Sequence, residues 1–292
     1  MVLRAARVAE DVLPLGVSGC VHSVFETAMN LRGDDGALRT VLSAGRSLSP
    51  RSAVLDSEVS FTRLGFVSGD AVAVEIAGAE TVSLAMSAMR PRFGSEDAAY
   101  LGRLRVLAAQ VGASAYAAES LAPVLCHLFD GLPYALSHNV YSRFLTERVR
   151  RLYGVLCARN VSECVDVGRT LAGCGAGLTP SSDDLLVGVL AAIHGSAAAG
   201  VLDRGLAVDM AWKLSLGAVS ATTEISGMFL ESGGLGYFNE DVIALVKAFF
   251  AADDTADLAV SAAKVCAFGA TSGVDLLTGV WLGLVGVGGL VV

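Results

Sequence analysis

The order of apolar and polar residues changes character about a third of the way along the chain. Up to residue 92, apolar residues alternate with polar ones or occur in short runs, and the clearest alternation lies between Val17 and Leu31. Further strand-like runs lie at 38–42, 53–55, 59–64, 71–76 and 81–86. Turn-forming residues, such as Gly-Asp-Asp-Gly at 33–36 and Ser-Pro at 49–50, separate the runs. This pattern predicts a small antiparallel β barrel or sandwich over residues 1–92.

From residue 93 the period becomes helical. The first helix begins near Ser95 and carries an apolar stripe that includes Leu101, Leu104 and Leu107. Further helices are predicted at 118–129, 137–157, 161–171, 182–199, 203–220, 223–232, 239–251, 254–267 and 273–284. Since no comparable strand alternation follows, residues 93–292 are predicted to form a larger all-helical domain. The predicted fold class is α+β with segregated parts.

One helix start occurs twice in the predicted helical part. Ser-Ser-Asp-Asp-Leu-Leu-Val-Gly-Val at 181–189 and Ser-Gly-Val-Asp-Leu-Leu-Thr-Gly-Val at 272–280 share the pattern S-x-x-D-L-L-x-G-V. Asp184 and Asp275 each lie three residues after a serine, which fits a capping box with Asp in place of Glu or Gln. Two interpretations stay open. Both helix starts face one ligand site, or both sequences are independent solutions to capping a helix.

A glycine-rich loop, Gly-Cys-Gly-Ala-Gly at 173–177, precedes the first of these helix starts. Glycines allow close backbone approach, and a helix N-terminus presents free N–H groups, so the loop is a candidate anion site. Asp183 and Asp184 would repel an anion, which predicts a bridging Mg²⁺ or an arginine supplied from elsewhere. The stretch is neither a P-loop nor a dinucleotide fingerprint, because no lysine follows and no strand precedes it. The structural alternative is a turn that lets two helices pack closely.

Other polar residues are weaker candidates. Thr222, Thr223 and Ser226 open a helix with more hydroxyl groups than capping requires. His22 and Ser23 lie on the first predicted strand, where a lone histidine is more often structural than catalytic. The four histidines show no metal-ligand spacing, and no Ser-His-Asp order is present.

Composition narrows the class of protein. Hydrophobic residues make up 53% of the 292 residues and charged residues 17%, which favours a compact and oligomeric protein. A net charge of −8 argues against nucleic acid or an anionic membrane as partner. The six cysteines form no C-x-x-C pair and are expected to be free thiols in a reducing cytoplasm. The apolar C-terminus, 276–292, is too short and glycine-rich for a membrane span and predicts a buried helix. No signal-peptide core is evident at the N-terminus.

Four stretches together resemble a known family. They are G-C-V-H-S-V-F-E-T-A-M-N-L at 19–31, G-A-G-L-T-P-S-S-D-D-L-L-V-G at 175–188, T-T-E-I-S at 222–226 and G-A-T-S-G-V-D-L-L-T-G at 269–279. In this order they are similar to the AllH-like family, whose namesake is regarded as a subunit of an oxamate carbamoyltransferase of anaerobic allantoin breakdown. The family pattern reads T-P-S-G-D-D, so Ser182 stands where a glycine is usual.

The resemblance implies a reaction of carbamoyl phosphate with oxamate to give oxalurate and phosphate, in either direction, beside partner subunits. It implies a small anionic substrate, such as carbamoyl phosphate, oxamate or a related ureide acid, and it favours an enzyme. Carried over by motif, the catalytic candidates, which are also the candidate metal ligands, are Asp183, Asp184 and Asp275. The substrate-binding candidates are Gly175, Gly177, Thr179, Ser181, Ser182, Thr222, Thr223, Ser226, Thr271, Ser272 and Gly273, with His22 and Ser23 from the β part.

Three functions therefore stay open. The first is a substrate-binding or catalytic subunit of a carbamoyltransferase-type complex. The second is a non-catalytic assembly subunit of such a complex, in which the motifs only specify helix starts. The third is a metal-dependent amide hydrolase with Mg²⁺ or Mn²⁺ on the aspartate cluster.

Overall fold

The computed structural model describes residues 3–14, 16–91, 93–94, 98–251 and 254–289. They form two compact units. The first contains the described residues up to Ala85 together with Phe238–Glu240, and the second contains Met86–Tyr237 and the described residues from Asp241 onwards. Among the described helices, none has the length and apolar character needed to cross a membrane.

The first unit is a small closed β barrel. Its strands are β1 (Leu3–Ala9), β2 (Ser18–Val24), β3 (Ala28–Arg32), β4 (Leu38–Leu42), β5 (Ser52–Leu55), β6 (Ala71–Glu75) and β7 (Glu80–Val82). Six strands follow the order β5-β4-β3-β2-β6-β1, and pairing of β1 with β5 closes the ring. The predicted barrel is confirmed. Its pairing is mixed, because β4–β5 and β1–β6 are parallel while the other ring pairs are antiparallel.

Two local predictions in the barrel are wrong. The alternation over 17–31 is not one strand but the hairpin β2–β3, in which the Phe25 amide donates to the Ala28 carbonyl at 2.8 Å. Alternation continued through the turn, so it did not reveal the reversal. The predicted strand at 59–64 is a turn, closed by the Leu64 amide on the Ser60 carbonyl at 3.2 Å.

The second unit is helical, as predicted. Its helices, with the start of one belonging to the barrel unit, are α1 (Ala98–Ala113), α2 (Ala122–Leu128), α3 (Val140–Ala158), α4 (Cys164–Leu171), α5 (Ser181–Ala198), α6 (Arg204–Val219), α7 (Glu224–Gly234), α8 (Glu240–Ala251), α9 (Thr255–Cys266) and α10 (Ser272–Val287). Every residue of α10 from Gly273 to Val287 is buried, which accounts for the apolar character of the C-terminal stretch.

The two helices that begin with the repeated pattern, α5 and α10, pack backbone against backbone. A Cβ atom at Gly188 would lie 2.0 Å from the Leu276 carbonyl oxygen, and one at Gly279 would lie 1.9 Å from the Leu185 carbonyl oxygen. Gly188 and Gly279 occupy the same position of the repeated pattern, as do Leu185 and Leu276. The packing is therefore reciprocal, and it requires the absence of a side chain at both glycines.

Candidate functional site at two paired helix starts

The first residues of α5 and α10 meet in the helical unit. Ser181 begins α5 and Ser272 begins α10. The hydroxyl of Thr179, in the loop before α5, lies 3.2 Å from the hydroxyl of Ser272. The structure thus brings the two copies of the repeated pattern together, which the sequence left open.

Asp184 carries a buried carboxyl in this cluster. Its Oδ2 atom is buried and has no hydrogen-bond partner among the described residues. Burial raises the pKa of Asp184 well above its usual range, and the nearby charges of Asp275 and Asp183 raise it further. Hydrogen bonding by the hydroxyls of Ser272 and Thr179 opposes this shift. The buried surroundings of Asp184 therefore favour its protonated form more than water does.

Asp275 is the second buried acid, with no exposed surface. Its Oδ1 atom accepts a hydrogen bond from the Leu121 amide at 2.6 Å, while Oδ2 is buried and has no partner in the described part of the chain. Burial raises the pKa of Asp275 to about 7, against the opposing effects of the Leu121 amide and the Ser181 and Thr271 hydroxyls. Asp275 consequently exchanges its proton near neutral pH.

Each aspartate interacts with the serine of the other pattern. Ser272 acts on Asp184, and Ser181 acts on Asp275. The capping-box interpretation, which paired serine and aspartate within one helix, is wrong, because neither helix has a side-chain cap of its own. Both serines are the first residues inside their helices and follow Pro180 and Thr271. The spacing was correct, but the partners lie on the neighbouring helix.

Asp183 differs from Asp184 and Asp275 because both of its carboxylate oxygens accept hydrogen bonds. It is 1% exposed, and its Oδ1 atom accepts a hydrogen bond from the Gly173 amide at 2.8 Å. Its Oδ2 atom accepts a hydrogen bond from the Thr222 hydroxyl. Both oxygens are engaged within the protein, so Asp183 ties the glycine loop to the segment before α7.

The glycine loop folds back on its own helix. The Ser182 hydroxyl accepts from the Cys174 amide at 2.9 Å, and the Ser182 amide donates to the Cys174 carbonyl at 3.0 Å. The Asp183 and Asp184 amides donate to the Pro180 carbonyl at 2.8 and 3.2 Å. These first-turn N–H groups, which an anion cradle would need, are already used. Ser182, in place of the family's glycine, thus bonds to the loop.

Gly175 and Gly177 differ in what their positions require. Gly175 has a φ of 144°, and a Cβ atom there would lie 2.2 Å from the Ser181 amide nitrogen. Gly177 has a φ of 89° and open space around it. Close packing of the loop against the start of α5 explains Gly175, whereas Gly177 is required only by its backbone conformation.

The hydroxyl-rich stretch before α7 is also engaged internally. Thr223 caps α7 through the Ser226 amide at 3.2 Å and donates to the Leu178 carbonyl at 2.6 Å. Ser226 is buried. The second motif contributes Gly273, whose amide donates to the Phe268 carbonyl at 3.0 Å.

His22 and Ser23 lie on β2 of the barrel unit. Their side chains are 3.1 Å apart, and Asn30 donates to the Ser23 hydroxyl at 2.9 Å. Thr40 in turn donates to Asn30 at 2.8 Å. The structure therefore places these two predicted site residues in a polar network of the barrel.

The three aspartates do not form a three-ligand cluster. Within the described ranges, no three His, Cys, Asp or Glu side chains gather so that they could hold a metal ion. The Asp183 oxygens bond to Gly173 and Thr222, which separates this residue from the Asp184–Asp275 pair. The Leu121 amide was missed by sequence reasoning, since nothing in its local sequence marks it as a partner of Asp275.

The fold and the paired helix starts define a two-part class of protein, a small closed barrel joined to a helical unit built on a duplicated helix start. Two family models match the chain. The model described as the AllH family N-terminal domain matches residues 3–89, and that described as oxamate carbamoyltransferase subunit AllH matches residues 171–284. The chain belongs to the AllH family. No curated protein and no solved structure matches it significantly.

Proposed function

We propose that the chain is a subunit of a cytoplasmic carbamoyltransferase complex that interconverts oxamate plus carbamoyl phosphate with oxalurate plus phosphate during allantoin breakdown. Membership of a family whose model is described as an oxamate carbamoyltransferase subunit supports the subunit role. Within the subunit, Asp184 and Asp275 bind the substrate.

The single observation that carries the site is the pair of buried Oδ2 atoms without partners on Asp184 and Asp275. A buried polar atom without a hydrogen bond costs about 1–3 kcal/mol, so a protein that keeps two of them has a reason to do so. Carboxyl oxygens accept hydrogen bonds, and the substrates named above carry amide NH₂ groups with two donors each. The pair therefore suits the nitrogen end of a carbamoyl or oxamate group and not its anionic end.

The proton balance of the reaction fits the same pair. The oxamate nitrogen attacks the carbamoyl carbon, the bond from that carbon to the phosphate oxygen breaks, and phosphate leaves with the electron pair. The nitrogen loses one proton as the new C–N bond forms. Asp275, whose pKa is raised to about 7, is a suitable acceptor for that proton at neutral pH. Asp184, whose pKa is raised by burial, orients the amide.

A non-catalytic assembly role is the second candidate, and a specific observation favours it. Asp183, Ser182 and Thr223 all bond within the protein, so most of the motif acts in holding the helix starts together. The metal-dependent hydrolase has no such support, because the described residues contain no cluster of three ligands.

The two candidates are separated by measurements on the complex purified with its partner subunits. We compare wild type with Asp184→Asn, Asp275→Asn and Asp257→Asn; Asp257 is an exposed first-turn acid of α9 and serves as the control. Carbamoyl phosphate, oxamate and oxalurate are titrated calorimetrically with and without Mg²⁺, and the turnover rate is measured. We expect both site variants to lose about tenfold or more in oxamate affinity or rate, while the control keeps both. Full activity of both site variants would establish the assembly role instead.

A further inference from the structure

Two arginines of α3 form no ion pair with an acid in the described part of the chain. Arg150 and Arg151, on the same helix, form ion pairs with N–O distances of 3.4 and 2.7 Å. Arg143 and Arg148 form none with the described residues, although the chain carries a net charge of −8. The other two arginines of this helix form ion pairs, and the protein as a whole is acidic. Two guanidinium groups without a carboxylate therefore mark a local excess of positive charge.

One of these arginines, Arg143, lines a cavity, and Arg148 stacks on Phe144, another of its lining residues. The cavity has a volume of about 580 Å³ and is lined by His138, Asn139, Val140, Arg143 and Phe144. The Arg148 guanidinium lies 3.9 Å from the centre of the Phe144 ring, in a cation–π arrangement that fixes its position. Phe144 itself is 58% exposed. A volume of this size falls in the range of small-molecule sites.

A stacked pair of imidazoles adds to the positive cluster. The rings of His127 and His138 lie 3.4 Å apart between centroids, at an angle of 13°. Partial burial lowers the pKa of His138, and the neighbouring His127 and Arg143 lower it further by charge repulsion. The groups around the cavity thus repel one another when charged, and a negative ligand would relieve that repulsion.

The donors of this site are side chains and not the helix terminus. A capping box between Asn139 and Ser142 already uses the amides of both residues at the start of α3. The cavity therefore differs in chemistry from the Asp184–Asp275 pair, whose buried oxygens without partners attract N–H groups.

We propose that this cavity binds the oxyanion of a small ligand, a phosphoryl or carboxyl group, through Arg143 in its lining, with Arg148 adding a second guanidinium from its place on the Phe144 ring. Guanidinium groups donate two parallel hydrogen bonds to such groups, and arginine recognises them better than lysine does. His138 contributes a further positive charge when it is protonated. Phe144 holds Arg148 and offers an apolar surface to the rest of the ligand. The site stands whether or not the helix starts bind the substrate proposed above.

The test is a titration of the full chain at constant ionic strength. Inorganic phosphate and carbamoyl phosphate probe the phosphoryl group, oxamate probes the carboxyl group, and chloride is the reference anion. We expect saturable binding of one inorganic phosphate per chain, because phosphate lacks the NH₂ group that the Asp184–Asp275 pair would bind. Arg143→Gln and Arg148→Gln should each weaken it about tenfold, and Arg150→Gln, the ion-paired control, should change it by less than about twofold. Binding that is not saturable, or an equal loss in Arg150→Gln, would overturn the proposal.

Histidine resonances give a second measurement on the wild-type chain. Phosphate should shift the imidazole signals of His127 and His138 and leave those of His22 and His194 in place. Asp184→Asn should keep the phosphate affinity, which separates this site from the helix starts. If phosphate instead shifts none of the four histidines, or if Asp184→Asn abolishes its binding, the cavity is not the oxyanion site.

Discussion

The Asp275 carboxylate accepts a hydrogen bond from the Leu121 main-chain amide at 2.6 Å, across 154 residues of sequence. Both residues have no exposed surface. Leu121 immediately precedes α2, so one oxygen of Asp275 anchors the start of that helix, while the other has no partner among the described residues. In the function proposed above, both stability and substrate binding depend on this side chain, and the choice of substitution can separate the two effects.

Asp275→Ala should lower the free energy of unfolding by about 1–3 kcal/mol, because the Leu121 N–H is then buried without a partner. Asp275→Asn keeps an amide oxygen in the position of Oδ1 and should lose less. Urea unfolding at pH 6 measures both. Equal stability of the two variants would mean that the Leu121 contact contributes nothing.

The same residue should make stability depend on pH. The folded pKa of Asp275 is about 7, whereas an aspartate in an unfolded chain titrates at about 4. Between these values the folded state holds a proton that the unfolded state has lost. The contribution of Asp275 to stability is therefore fully present below about pH 4 and is lost as the pH rises through about 7, and the raised pKa of Asp184 acts in the same direction.

Asp275→Asn removes this titration, so the difference between wild type and variant should grow in favour of the variant from pH 5 to pH 8. Unfolding midpoints across that range test it. Parallel curves for the two proteins would contradict the raised pKa. Asp257→Asn, an exposed acid, provides the reference slope.

Replacing glycine by alanine should have opposite effects on stability at the contact between α5 and α10 and at an open helix position. Gly188→Ala should destabilise the protein by about 1–3 kcal/mol, because its Cβ atom would lie 2.0 Å from the Leu276 carbonyl oxygen and the helices must move apart. Gly154→Ala, at an open position inside α3, should instead stabilise it by about 0.5–1 kcal/mol. Thermal unfolding of both variants is the measurement, and a neutral Gly188→Ala would refute the close crossing.

Two ion pairs of the barrel unit are expected to contribute unequally to its stability. Glu240 accepts hydrogen bonds from Arg7 at 2.7 and 3.1 Å and from the Leu48 amide at 2.9 Å, so Glu240→Ala should cost about 1–3 kcal/mol. Among the described residues, Arg4 is the one ion-pair partner of Glu75, and both side chains are exposed. Glu75→Ala should therefore cost less than about 0.5 kcal/mol. Chemical unfolding compares the two, and similar losses would contradict the stated difference.

Much of the helical unit could be predicted from sequence, because a helix buried on one face carries apolar residues at a regular spacing. The predicted helix at 203–220 corresponds to α6, Arg204–Val219, and the buried C-terminal helix is α10. The barrel was harder. Alternation reports which face of a strand is buried, but it continues through a tight turn, and so the hairpin at Phe25 was missed.

The candidate site shows a different limit. The spacing of serine and aspartate located both helix starts, since spacing along a helix is a local property. It assigned the wrong partners, because the effect of the Ser272 hydroxyl on the pKa of Asp184 depends on which helices pack together. The Leu121 amide carries no local signal at all, and only the tertiary fold brings it to Asp275.

The exchange of partners between the two helix starts also constrains how this chain can change over generations. A substitution at Ser181 changes the surroundings of the Asp275 carboxyl, and one at Ser272 changes those of the Asp184 carboxyl. We therefore expect the two copies to accumulate substitutions together, although 91 residues separate their serines (272 minus 181). We expect their substitutions to be correlated among relatives, with each copy preserving the function of the other.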